Sequence, residues 1–178
     1  RTGDEGPLKA TTNTGQGLPY LPKALQEGRT IEDVKALAKD IGKHKVPAQV
    51  RFLLALVDVQ ASRFEVQVIG FGENNSLTVI DRFAIRKSKR LDDDDERLPL
   101  SPPKYPEDWD VLIDEVILKS YELDDGSGRR MSIKMVGCDS GGKAGTTTNA
   151  YAFWRRLRDS DGEDFPADLH HRFMLLKG

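Results

Sequence analysis

From Phe52 to Val59 the chain reads Phe-Leu-Leu-Ala-Leu-Val-Asp-Val, an apolar run broken only by Asp58. A short continuous run of this kind predicts a central strand buried on both faces. A charge inside such a strand is costly unless something compensates it. Gln60-Ala61-Ser62 is a tight connection, and 64–71 alternates as Phe-Glu-Val-Gln-Val-Ile-Gly-Phe, a second strand that folds back on the first. Glu73-Asn74-Asn75 is the next turn and 76–85 a third strand. The sheet therefore opens as a three-stranded meander with its most apolar strand first.

The remaining pattern adds helices. Residues 1–29 are rich in Gly, Pro and Thr without periodicity and read as a linker or arm. Thr30 with Asp33 has the form of a capping box, and Ile31, Val34, Leu37, Ala38 and Ile41 recur at helical spacing up to Gly42, which predicts a helix over 31–41. Arg86, Lys87, Lys89 and Arg90 precede Asp92 to Glu96 and four prolines, so 86–106 reads as a solvated, mobile loop. Helical spacing returns over 107–121. A fourth strand over 131–138 ends at Asp139, a loop carries Gly141, Gly142 and Gly145, a helix covers 149–158, and a fifth strand covers 172–176. The order β-β-β-α-β-α-β, without repeats, predicts an α/β fold with a mixed sheet and flanking helices.

Composition narrows the function classes. Lys and Arg total 27 against 29 Asp and Glu, a formal charge of −2, which excludes a generally basic nucleic-acid coat but leaves room for a local acidic metal site. The single cysteine, Cys138, excludes a disulfide framework and a Cys-rich zinc site. No apolar run approaches the ~18 residues of a membrane span, so no membrane partner is expected. The chain has no initiator Met and no signal-peptide pattern, and its numbering is expected to start inside a longer protein.

Two carboxylates, Asp58 and Asp139, each close an apolar strand. A divalent cation such as Mg²⁺, a hard ion that takes oxygen ligands, would compensate them, and carboxylates from adjacent strands can bridge two such ions. Turn capping or pairing with an arginine would compensate them equally well. A rival reading is a P-loop-like nucleotide-binding domain, because Gly137 to Lys143 fits Gly-x4-Gly-Lys after a strand. Ala144, however, stands where a Mg²⁺-binding hydroxyl is required. Gly70-Phe71-Gly72 lacks the third glycine of a dinucleotide fingerprint. His44, His170 and His171 show no zinc-type spacing, and the adjacent pair reads as a helix-end or loop feature. Arg155, Arg156 and Arg158 share one helix, where they either meet DNA phosphates or form a solvated face.

The text Val57-Asp58-Val59-Gln60, the strand Arg63 to Gly72, Val79-Ile80-Asp81, the loop Asp139-Ser140-Gly141-Gly142, the helix with Tyr151 and Phe153, and the closing strand to Lys177-Gly178 resemble a known family. It is the C-terminal nuclease domain of the large terminase subunit of tailed phages, lambda-type (GpA-like). Asn13-Thr14 and Gly17-Leu18-Pro19-Tyr20 are similar to the segment that joins this family's ATPase and nuclease domains. The resemblance implies a ribonuclease-H-like fold over 47–178, preceded by a linker with a short helix over 1–46. It implies a metal-dependent endonuclease that cuts concatemeric double-stranded DNA by a two-metal-ion mechanism with Mg²⁺ or Mn²⁺. Asp58 and Asp139 would be the metal ligands, Lys143 would reach the scissile phosphate or the attacking water, and Asp81 would be a surface or turn acid. A third acidic ligand is expected on a later helix beyond Gly178, so the domain is expected to be truncated there. Implied partners are double-stranded DNA, the small terminase subunit, the portal or procapsid and an upstream ATPase domain, in the host cell cytoplasm. A non-catalytic scaffold of the same fold, docking DNA or a partner, is the remaining alternative.

Overall fold

The computed structural model describes residues 6–17, 20, 30–37, 44–160, 162–163 and 165–177. The chain divides into two compact units, Arg1–Asp40 and Ile41–Gly178. Within the first, part of the expected linker is helical: α1, Gly6–Ala10, runs on into a π turn over Thr11–Gly15. The second helix, α2, spans Ile31–Leu37. Its start follows the predicted capping box, since the Thr30 amide donates to Asp33 Oδ2 (2.8 Å) and the Asp33 amide donates to Thr30 Oγ1 (3.1 Å). The helical spacing beyond Leu37, to Gly42, lies outside the described residues.

In the second unit nine strands occur among the described residues: β1 Lys45–Val46, β2 Val50–Gln60, β3 Arg63–Gly72, β4 Leu77–Ile85, β5 Lys87–Leu91, β6 Arg97–Pro99, β7 Ser120–Leu123, β8 Arg130–Asp139 and β9 Phe173–Leu176. The large sheet has the order β1-β7-β8-β2-β3-β4, with β9 also on β8. The predicted meander is β2-β3-β4, antiparallel throughout. β8 joins β2 in parallel. The other edge of β8 is shared: antiparallel β7 borders its start and parallel β9 its end.

β2 is central but not buried on both faces as its apolar run predicts. Leu53, Ala55, Val57 and Val59 are buried, whereas Phe52 (42% exposed) and Leu56 (45%) lie on an open face. An unbroken apolar run does not distinguish a two-sided strand from a one-sided one whose open face stays apolar. There Phe52 stacks on Phe71, with ring centroids 5.2 Å apart. The covered face packs on Trp109, Leu112, Val116 and a long helix, α3 (Thr146–Asp159). Phe64 meets Trp109 edge-on at 5.3 Å, and Phe153 of α3 meets Phe173 at 5.2 Å. Each of these fully buried rings contributes on the order of 1.5–3 kcal/mol.

Two other expectations change. The segment 107–121 is not one helix but a 3₁₀ turn (Pro106–Asp110), a π turn (Ile113–Ile117) and then β7. Apolar spacing persists through Ile117, but β-branched Ile113, Val116 and Ile117 favour helix weakly, and the chain pairs with β8 instead. The charged stretch 86–106 is not a loose loop. β5 and β6 pair as a hairpin, and fully buried Asp108 accepts hydrogen bonds from Ser88 Oγ (2.6 Å), Arg90 Nε (2.6 Å) and the Ser101 amide (2.5 Å). Pro102 O receives Trp109 Nε1 (3.0 Å) and Asn149 Nδ2 (2.9 Å). The prolines thus follow a bonded path that composition alone does not reveal.

Candidate metal centre

The register of β2 and β8 positions the two strand-closing carboxylates. Val57 lies beside Cys138, so Asp58 and Asp139 are the next residues on adjacent parallel strands. Val57 and Cys138 point into the core, and strand alternation turns both aspartates to the open face. They line two adjoining clefts. One, of about 400 Å³, is shared with Leu56, Glu65, Gln67, Arg82 and Leu176. The other, of about 340 Å³, is shared with Gln60, Pro103, Gly141, Gly142, Lys143 and Thr146. Lys143 therefore stands at the same cleft as the two acids.

Each carboxylate is oriented by an amide donor. Gln60 Nε2 donates to Asp58 Oδ2 (2.6 Å), and the Gly141 amide donates to Asp139 Oδ1 (2.8 Å). The ion pairs among the described residues include neither aspartate, so the arginine-pairing alternative is not realised there. The loop after Asp139 is fixed by Ser140, whose amide and hydroxyl both donate to Leu176 O (2.8 Å each), and by Thr147 Oγ1 on Ser140 O (2.7 Å). Gly145 turns the chain into α3 at φ 95°, and a side chain there would run into the Pro103 carbonyl. The Cys138 thiol is pushed well above its usual value, by burial first and then by the charges of Asp139 and Asp58, so both charges reach the same point.

A third acid faces this cleft that the residue-by-residue reading missed. Glu65 is the direct cross-strand partner of Asp58. The signal was available: in a hairpin turning at Ala61-Ser62, Asp58 and Glu65 are equidistant from the turn and share a face. Arg63 engages the Glu65 carboxylate and, first by that hydrogen bond, holds it below the usual carboxylate range, with Arg86 and Arg82 adding to the effect.

Other candidates fall elsewhere. Asp81 is not a surface acid: it is buried on β4 and takes Tyr121 Oη (2.9 Å), His44 Nδ1 (3.1 Å) and Lys119 Nζ (3.5 Å). The three helix arginines do not form one free face. Arg155 is exposed, Arg156 bonds Pro106 O (2.9 Å) and Asp110 (2.5 Å), and Arg158 bonds Asp159 (2.7 Å). In the glycine loop the Gly141 amide, which a P-loop would turn to a phosphate, is occupied by Asp139. A carboxylate at the head of that loop repels phosphate and attracts a cation. The donor set, two hard carboxylates that share their clefts with Arg82 and Lys143 but form no ion pair among the described residues, suits Mg²⁺ or Mn²⁺.

Comparison with known proteins adds an independent line. The family described as "Terminase large subunit gpA, endonuclease domain" matches residues 1–178. The "Terminase, large subunit" of Escherichia phage lambda is 31% identical over 140 residues, covering 79% of this chain and 19% of that protein. The chain thus spans about a fifth of that relative's length. Among solved structures, an Aquifex aeolicus member of the Ppx/GppA protein family shares 11% identity over 71% of this chain and 35% of its own. Its TM-score of 0.28 is too low to carry an argument.

Proposed function

The chain belongs to the terminase large subunit gpA endonuclease-domain family, and we propose that it cuts double-stranded DNA at a divalent-metal centre held by Asp58 and Asp139. The observation that carries this reading is the pair itself: two carboxylates at successive register positions on parallel β2 and β8, on the open face, oriented by amides rather than arginines. We read the sheet as ribonuclease-H-like. The strand order β4-β3-β2-β8-β9, antiparallel and then parallel, supports that reading.

Asp58 and Asp139 would hold Mg²⁺ or Mn²⁺, with two ions in the complete site. When bound, the metal supplies Lewis-acid activation of water and neutralises charge on the phosphodiester. The chain's own residues do the rest. Gln60 and the Gly141 amide fix the carboxylate orientations, so little reordering accompanies ion entry. Lys143, lining the same cleft, is suited to meet the scissile phosphate. Glu65, paired with Arg63, lines the same cleft, and Arg82 beside it offers a cationic contact for a phosphate. DNA would be held mainly through its backbone, with strong salt dependence. Choice of cutting site would then come from a partner. We assign that role to the small terminase subunit, in an assembly with the portal and an upstream ATPase domain in the infected host's cytoplasm, acting on concatemeric genomes.

The test is plasmid nicking with Mn²⁺ by the chain and by its Asp58→Ala and Asp139→Ala variants. Removing outer-shell partners of a metal costs about 10–100-fold, so removing a ligand is expected to cost at least ~100-fold, with unchanged circular dichroism. Cleavage that survives Asp58→Ala removes this centre from the reaction.

A further inference from the structure

A second cluster of ligating side chains stands apart from the strand-end aspartates. The turn before β9 is a 3₁₀ segment, Leu169–Arg172, entered through Asp168 in the left-handed region (φ 64°). This turn brings one carboxylate oxygen of Asp168 and one ring nitrogen each of His170 and His171 within 4.8 Å of one another. Among the described residues this is the group of three such side chains that converges so closely. In the sequence the two histidines read as a helix-end or loop feature, because they show no zinc-type spacing to a carboxylate or to Cys138. The 3₁₀ turn, with its tighter wind, gathers them.

An independent observation points the same way. His170 Nδ1 is the buried side-chain polar atom among the described residues that has no hydrogen-bond partner. Leaving such an atom unsatisfied is unfavourable, and buried ring nitrogens are normally paired. The ring is held in place around it. The His171 ring lies tilted by 38° against it with centroids 3.9 Å apart, and Trp154 of α3 meets it edge-on at 5.9 Å.

We propose that Asp168, His170 and His171 form a binding site for a zinc-class transition-metal ion, separate from the Asp58–Asp139 centre. Two imidazoles with one carboxylate are the donor set that borderline ions such as Zn²⁺ take, whereas Mg²⁺ prefers oxygens alone. Three protein ligands leave a position for water. An ion taking the lone pair of His170 Nδ1 satisfies the orphaned atom. It also locks the turn that starts β9, whose far end, at Leu176, pairs with Asp139. The site depends in no way on the cleavage reading.

The experiment is calorimetric titration of Zn²⁺ into the whole chain carrying Asp58→Ala and Asp139→Ala, so that the strand-end acids do not contribute. One equivalent is expected to bind. Adding Asp168→Asn or His171→Gln is expected to weaken binding by at least ~10-fold. Asn tolerates the left-handed conformation at 168, and His171 is exposed, so both variants keep the fold, which circular dichroism checks. Cu²⁺ quenching of tryptophan fluorescence through Trp154 is expected to weaken in parallel. Absence of Zn²⁺ binding, or binding that neither substitution weakens, overturns the proposal.

Discussion

The protein carries acids of two kinds, and their surroundings differ. Asp108 and Asp81 are buried, and cationic or hydroxyl donors converge on each: Arg90 and Ser88 on the first, Tyr121, His44 and Lys119 on the second. Asp58 and Asp139 lie at the cleft, and the groups that donate to them are a glutamine side chain and a backbone amide. A carboxylate whose charge is already balanced inside the protein is part of the scaffold. One that is oriented but not neutralised leaves room for an external cation. Burial and partners, more than residue type, separate structural from functional acids here.

That distinction breaks most visibly at Asp108. Asp108→Ala leaves Arg90 without its carboxylate and the Ser101 amide without its acceptor, which is expected to destabilise the fold by about 3–5 kcal/mol. Urea denaturation measures the loss, and a change below ~1 kcal/mol would place Asp108 among the dispensable surface acids. Asp81→Ala, with one partner a neutral phenol and the others partly exposed, is expected to cost less, about 1–3 kcal/mol.

Tyr121 ties this second network to pH. Burial first, then the hydrogen bond to Asp81, raises its phenol above the ordinary tyrosine value. A group whose folded value is raised contributes fully below the unfolded value of about 10 and loses that contribution as pH climbs toward the folded one. Stability is therefore expected to fall above pH ~10, with a smaller fall in Tyr121→Phe. Equal slopes in the two proteins would detach Tyr121 from the alkaline transition.

Much of this contrast was legible in the chain itself, and the failures are informative. Asp58 and Asp139 announce themselves because each interrupts an apolar strand. The β2-β3-β4 meander then follows from its short connections, whereas the parallel join of β8 to β2, made across a long stretch of chain, is supplied by the fold. Asp108 and Asp81 do not announce themselves. Asp108 sits between Glu107 and Trp109 where helical spacing begins, and Asp81, inside the third strand, is expected as a surface or turn acid. Their burial is set by partners far away in sequence, Ser88, Arg90 and Tyr121, which local pattern does not supply. Glu65 was missed although hairpin geometry pairs it with Asp58, because charge in an alternating strand usually marks a solvated face. The Asp168 cluster was missed because a 3₁₀ turn, not a recognisable spacing, assembles it.

The smallest effect is the sharpest discriminator. If Asp58 and Asp139 serve only an incoming cation, they contribute nothing to the stability of the metal-free protein, and their mutual repulsion on adjacent strands opposes folding. Asp58→Asn removes one of the two charges while keeping a side chain that Gln60 can still approach. Its denaturation midpoint without metal is expected to stay within ~0.5 kcal/mol of the parent, on the stabilised side, as for surface changes away from packed features. Adding Mn²⁺ is then expected to raise the parent's midpoint and leave that of Asp58→Asn nearly where it was, because a ligand stabilises only the state that binds it. A metal-free loss approaching that of Asp108→Ala would mean that Asp58 belongs with the scaffold acids, and that the cleft evolved around its packing rather than around an ion.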